Sequence, residues 1–264
     1  MKEFYNKFLA FLIRDFKISL SYKFNILIQI LATGCLLTVA FFSFYSSSSE
    51  ESNANLIRFI VGFAAIDIML ASINVFSREV RHAQTIGTFE ALLLTQTSIF
   101  TVMLSSYALT LIKSLIRVTI YLLFIQIFVI SSINLLNLCL IISILYFGCI
   151  PFVGLGLISA SLIIIFKVGN IANLLVALVS IFFSGLFFSI DILPNYLQQI
   201  GDLTPLYLAS DLGNKVMSSN FRAYEVAYYF LIILFEIIII VPLGLLMVYY
   251  GFKFAKKNGS LNHY

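Results

Sequence analysis

Apolar residues in this chain come in long unbroken runs, at Phe24 to Tyr45, Leu56 to Phe76, Ser114 to Ile130, Leu135 to Phe166, Ile171 to Ile190 and Tyr228 to Tyr250. A helix rises about 1.5 Å per residue, so roughly 20 such residues cross a hydrocarbon layer about 30 Å thick. Strands of a membrane barrel would instead alternate apolar and polar positions in segments of about ten residues. The pattern predicts an all-α polytopic membrane protein, with six transmembrane helices in a single domain over residues 1–264. The fourth run exceeds one ideal crossing, and Gly148, Pro151, Gly154 and Gly156 within it predict a kink or break. Membrane helices also tolerate Pro and Gly for packing alone, so no site is assigned there.

The polar intervals differ in kind. At 100° per residue, Phe4 to Ser21 places Asn6, Lys7, Ala10, Arg14, Lys17 and Ser21 on one narrow arc, with Phe8, Leu9, Leu12, Ile13, Phe16 and Leu20 elsewhere. Residues 1–23 are therefore expected to form a helix lying in the membrane interface. Ser46 to Asn55 is a short polar stretch suited to an outer loop. Residues 78–95 form an island of alternating charge: Arg78, Glu79, Arg81, His82 and Glu90, with Gly87 and Thr88 between them. One charge at the centre of a membrane helix costs roughly 2.5–3.5 kcal/mol, so this island belongs in water and points to a soluble partner. After the fifth run, Gly185, Asp191, Pro194, Asp202 and Pro205 interrupt apolar sequence. Residues 191–215 are expected to form short amphipathic re-entrant helices dipping into the outer leaflet, opened or closed by Pro194 and Pro205.

Composition agrees with the runs: 61% hydrophobic residues, 11% charged residues and a mean hydropathy of +1.04 leave too little polar surface to solvate a globule. The net charge of +4 reads as an orientation signal. With six crossings both termini share a side, and that side holds Lys2, Lys7, Arg14, Lys17, Lys23, Arg78, Arg81, Lys113, Arg117, Lys167, Lys253, Lys256 and Lys257. The other side holds Arg58, Lys215 and Arg222, so the termini are expected in the cytoplasm of a multi-pass protein of the cell membrane. Charges placed this way do not make a nucleic-acid footprint. The basic N-terminus leads into a span too long for a signal core, so the first span is expected to remain. Cys35, Cys139 and Cys149 lie within apolar runs and are expected to be packing residues.

Charged groups also fall within or beside the spans. Lys113 and Arg117 are four apart on one helical face and are expected near the inner headgroups, snorkelling to the inner surface in salt-bridge or lipid contacts, the alternative being a cationic lining for an anionic cargo. Asp67 in the second span and Glu236 in the sixth either border a translocation path or are buried protonated and hydrogen-bonded. No catalytic residues or metal ligands are assigned: the chain has no H-E-x-x-H pair, no G-x-S-x-G elbow and no G-x-x-x-x-G-K-[ST] phosphate loop.

Arg78-Glu79 followed by Gly87-Thr88-Phe89-Glu90-Ala91-Leu92 resembles the cytoplasmic signature after the second span of permeases of the ATP-binding-cassette type 2 exporters. Ser184-Gly185, Leu193-Pro194 and Pro205-Leu206-Tyr207 resemble the region between the fifth and sixth spans of that family, and the interfacial helix resembles its elbow helix. Many members follow the Glu-x-Leu element with a Ser/Thr-Pro step, whereas Thr95-Gln96-Thr97-Ser98 has no proline. The resemblance implies a permease that exports an amphipathic or lipid-linked cargo, paired with a second permease chain, a homodimer being expected. It implies a coupling helix over residues 78–97 that docks on a separate ATPase subunit, the subunit that holds ATP and Mg. Arg78, Glu79, Arg81, Gly87, Thr88 and Glu90 would make that contact. The alternative is a structural or regulatory membrane protein that binds a cytoplasmic partner through the same island and moves nothing.

Overall fold

The computed structural model describes residues 2–45, 50–86, 99–128, 134–166, 171–186, 193–218 and 221–257. Helices in chain order are α1 (Lys2–Ser21), α2 (Lys23–Tyr45), α3 (Glu50–Ile86), α4 (Ile99–Phe128), α5 (Leu135–Gly148), α6 (Ile150–Phe166), α7 (Ile171–Phe182), α8 (Asn195–Gly201), α9 (Pro205–Met217) and α10 (Ala223–Lys257). No strand occurs among the described residues, as the unbroken apolar runs predict. Four stretches are long and apolar enough to cross a membrane: Ala54–Thr85, Phe100–Phe128, Leu136–Phe166 and Ala223–Ala255. Leu27–Ser43 and Ile171–Phe182 are shorter apolar helices.

Two expected boundaries need correction. The third run was placed from Ser114, but α4 begins at Ile99. Thr101, Ser105, Ser106 and Thr110 depress its hydropathy, yet Ser105 donates its hydroxyl to Val102 O at 2.7 Å and Thr110 to Ser106 O at 2.8 Å, so the helix can bury them. The fifth run was placed to Ile190, but α7 stops at Phe182, and Gly185 adopts a φ of 69°. A left-handed residue costs a side-chain-bearing amino acid about 1–2 kcal/mol, which is why glycine stands at that turn. The 12 residues of α7 rise about 18 Å, short of the hydrocarbon thickness.

The bundle is organised around α3, which packs on α2, α4, α6 and α9. Buried residues fill 67% of its apolar window against 17% for α10, so α3 is central and α10 peripheral. Lipid is as apolar as leucine, so helices associate in membranes through close packing and hydrogen bonds rather than hydrophobic transfer. Glycine supplies the close packing here. Residues two apart point in nearly opposite directions on a helix, and α6 uses Gly154 and Gly156 that way. A Cβ on Gly154 would stand 2.6 Å from Ile240 O of α10, and one on Gly156 would stand 2.7 Å from Ile73 O of α3. Gly244 of α10 returns the contact, its Cβ position lying 2.5 Å from Gly154 O. α6 is thereby clamped between α3 and α10.

The expected break in the fourth run lies between α5 and α6, where Cys149 closes a tight turn with its N–H on Tyr146 O at 3.2 Å. Pro151, which has no N–H, stands in the first turn of α6, where none is needed. Tyr229 of α10 donates its hydroxyl to Ile144 O at 2.5 Å. A Cβ on Gly148 would overlap that hydroxyl and come within 2.8 Å of Ala209 Cβ in α9. Pro194 and Pro205 stand at the starts of α8 and α9, matching the punctuation read from the sequence.

Candidate functional site

Polar groups gather at three levels along α3. Arg58 and Glu79 are 21 residues apart, about 31 Å along the helix, which matches the thickness of a hydrocarbon layer.

At the Glu79 level, α3 continues without interruption to Ile86, so Arg78 to Ile86 extend a long helix rather than open a new one. Arg78, His82 and Thr85 are exposed and, at spacings of four and three, share one face. Val80 and Ala83 turn inward and pack with Val248, Phe252 and Ala255 of α10. Arg81 is half-buried. Gly87, Thr88 and Glu90, with the rest of the predicted coupling helix, lie outside the described residues. Helix α1 docks beside this end through charge-assisted hydrogen bonds. Ser106 of α4 donates to Asp15 Oδ2 at 2.7 Å, and Arg14 Nη2 lies 2.7 Å from Asp15 Oδ1 and 3.6 Å from Glu79 Oε1. The Arg14 guanidinium also sits 4.8 Å from the centroid of the Phe11 ring. On its other side α1 exposes Phe4, Tyr5, Leu9, Ile13 and Phe16, the apolar face expected of an interfacial helix.

At mid-depth, Arg117 of α4 grips Asp67 of α3 with two bonds, Nε to Oδ2 at 2.8 Å and Nη2 to Oδ1 at 3.1 Å. This is the salt bridge expected of Arg117, made to a carboxylate one helix away rather than at the inner surface, so that Asp67 supplies the partner that hydrocarbon does not. Ser114 and Tyr146 share a hydrogen bond of 2.9 Å beside the pair. The second intramembrane acid, Glu236, has its Oε2 enclosed and meets no described donor.

At the Arg58 level, the turn after α7 is tied to α9. Ser184 donates its hydroxyl to Ile181 O at 2.7 Å and accepts the Leu186 N–H at 3.2 Å, while Ser210 donates to Ser184 O at 3.1 Å. Leu186 fills the space that a Cβ on Gly62 would take. Between this turn, Arg58 and α9 lies a cavity of about 290 Å³. On its wall Lys215 Nζ lies 2.8 Å from Asp211 Oδ2, a hydrogen bond that holds the ammonium above its usual range.

Of the residues singled out from the sequence, Asp67, Glu79, Gly185 and Pro205 have defined partners or positions, but they do not converge on one centre. Sequence reasoning missed Asp15, Tyr229 and Asn214. Asp15 left a faint signal, as an acid in a basic helix; the other two left none, because their roles depend on a neighbouring helix. Of the cysteines only Cys149 is buried, while Cys35 and Cys139 are exposed, which corrects the expectation for those two. No group of three or more candidate metal ligands occurs among the described residues.

The sequence pattern of the ABC-2 type transporter family matches residues 6–218, a stretch that runs from α1 through α9. Comparison with individual well-described proteins gives no match. The match takes in the docked α1, the charged end of α3, the Asp67–Arg117 pair and the α9 cavity, and it covers well over half of the residues. The chain belongs to the ABC-2 type transporter family.

Proposed function

We propose that the chain is the permease subunit of an ATP-driven exporter, moving an amphipathic or lipid-linked cargo out of the cytoplasm or inner leaflet. Two copies would flank the path, and a separate ATPase subunit would hold ATP and Mg. In this reading the membrane is crossed six times, by α2, α3, α4, the broken α5–α6 pair, α7 with the residues that follow it, and α10. Both termini then lie in the cytoplasm. Residues 78–97 form the contact with the ATPase, through Arg78, Glu79, Arg81, Gly87, Thr88 and Glu90. Asp67 and Glu236 border the path, and Gly185, Pro194 and Pro205 shape the outer region.

The observation that carries the proposal is the uninterrupted 37-residue α3, exposed as Arg78, His82 and Thr85 at one end and lining a cavity at the other. A motor that closes by rigid-body motion needs a stiff lever on the permease, and a hydrogen-bonded helix about 55 Å long is one. The test is reconstitution with the candidate ATPase in vesicles. Glu79→Gln with Glu90→Gln should lower transport-coupled ATP hydrolysis at least about tenfold, the loss of roughly 1.4 kcal/mol of coupling. Arg14→Ala is the control, since it breaks the internal Arg14–Glu79 contact without touching Glu90. Stimulation that survives the double substitution would refute the docking role.

A further inference from the structure

The cavity beside α9 has a chemical bias that neither the fold nor the family reading uses. Its charged residues are Arg58, Asp211 and Lys215. The close Lys215–Asp211 bond occupies one cation with the one acid. No described carboxylate lies within 4.0 Å of Arg58, so the guanidinium is the excess charge, with a planar fork of donors suited to two oxygens of one anion. On the same wall Asn214 Oδ1 is enclosed and meets no described donor. An enclosed acceptor without a partner is costly, and a ligand hydroxyl would relieve that cost. The wall is held in advance: Ser210 fixes the Ser184 carbonyl, Ser184 fixes the Leu186 amide, and Gly185 alone allows the φ of 69°. A preformed wall loses little entropy when a ligand enters. The volume of about 290 Å³ sits at the lower edge of small-molecule sites, enough for a headgroup rather than a whole amphiphile.

We propose that this cavity binds an anionic, hydroxyl-bearing group of the glycerophosphate type, with the anion on Arg58 and a hydroxyl on Asn214 Oδ1. The placement of the site at the outer face rests on the orientation proposed above; the binding chemistry does not. The same group can arrive as a phosphatidylglycerol headgroup or as a soluble phosphorylated polyol.

The test uses the full chain in nanodiscs, with thermal unfolding and hydrogen exchange of residues 205–217 as readouts. Probes are phosphatidylglycerol against phosphatidylcholine in the disc, and glycerol 3-phosphate or inorganic phosphate in solution around a phosphatidylcholine disc. Phosphatidylglycerol should protect α9 and raise the unfolding temperature if the source is lipid; glycerol 3-phosphate should do so if it is soluble. Arg58→Ala should weaken every effective probe at least about tenfold, and Arg58→Lys should recover part of the loss. Asn214→Ala should weaken the hydroxyl-bearing probes and leave inorganic phosphate unchanged. Unfolding without ligand identifies any variant that fails to fold, and for such a variant the conservative Arg58→Lys and Asn214→Asp carry the comparison. Protection by no probe, or undiminished protection in folded Arg58→Ala, overturns the proposal. Labelling of Asn55→Cys, one turn from Arg58 and outside the cavity, by an impermeant reagent from the cytoplasmic side in a Cys35→Ala, Cys139→Ala background, with binding intact, would instead sink the orientation and leave the site standing.

Discussion

Removing either partner of the Asp67–Arg117 pair leaves a charge stranded among α3, α4 and α5. Two charges at 2.8 Å attract by about 6 kcal/mol at an effective dielectric of 20, most of it offset by the desolvation of both groups. The measurable quantity is therefore the cost of breaking the pair. A lone charge at the centre of a membrane helix costs roughly 2.5–3.5 kcal/mol. Here 23% of the Arg117 side chain and 22% of Asp67 remain accessible, so relaxation and water relieve part of that, leaving about 2 kcal/mol for Asp67→Asn or for Arg117→Met. The double variant has no charge to strand and should cost about 1 kcal/mol or less, since a neutral replacement of both partners is often tolerated. The cycle then gives a coupling of about 3 kcal/mol. In a Cys35→Ala, Cys139→Ala background, exposure of the buried Cys149 thiol reports unfolding in nanodiscs. Each single variant should unfold about 4–8 °C lower, and the double within about 4 °C of the parent. If the double loses as much as the two singles together, the pair is not an energetic unit and its place in the bundle has been misread.

Two further outcomes follow from the packing. Gly156→Leu should destabilise by about 3 kcal/mol or more, because its Cβ would stand 2.7 Å from Ile73 O and 2.9 Å from Ser72 O, whereas Gly34→Leu, with nothing within 4 Å, should be near neutral in the same thermal assay. A membrane-permeant maleimide should modify Cys35 and Cys139 in the folded protein and spare Cys149; rapid loss of all three thiols would contradict the burial of the α5–α6 turn.

The helical class was legible because its cause is local: six apolar runs announce membrane helices whatever they pack against. Pro194 and Pro205 were legible for the same reason, since a missing N–H restricts a helix wherever it occurs. Helix lengths were less so. The start of α4 was hidden by Ser105 and Ser106, whose hydroxyls lower a hydropathy average but bond within the helix and to Asp15. The end of α7 was hidden because Phe182 and Phe183 look alike to hydropathy, and only the left-handed residue Gly185 just beyond them marks the end of the helix. The charges were the least legible. Arg117 beside an apolar run suggests a salt bridge or a lipid contact but does not name the partner, a carboxylate 50 residues earlier that lies 2.8 Å away. Gly154 and Gly156 read as helix breakers, yet both lie inside α6, and what they break is the distance to α3 and α10.

That packing bears on how a push at the charged end of α3 would travel. At Gly156 the backbones of α3 and α6 touch without side chains between them, and at Gly154 and Gly244 those of α6 and α10 do the same. Contacts of this kind have one good register, so α3, α6 and α10 resist sliding past one another. Hydrogen bonds fasten α4 to α3 at Arg117 and α1 to α4 at Ser106, each breakable without rebuilding a packed surface. α2 and α7 leave large apolar side chains exposed, among them Phe24, Leu31 and Phe42 of α2 and Leu174, Leu175 and Leu178 of α7. A force applied at Arg78, His82 and Thr85 would therefore move the glycine-locked trio as one body, and shear would fall on the polar seams with α4 and α1. The singly substituted pair variants should then disturb coupling more than stability alone explains, whereas Gly156→Leu should act through stability. Equal ratios of lost coupling to lost stability in the two would leave the seams no special part in the motion.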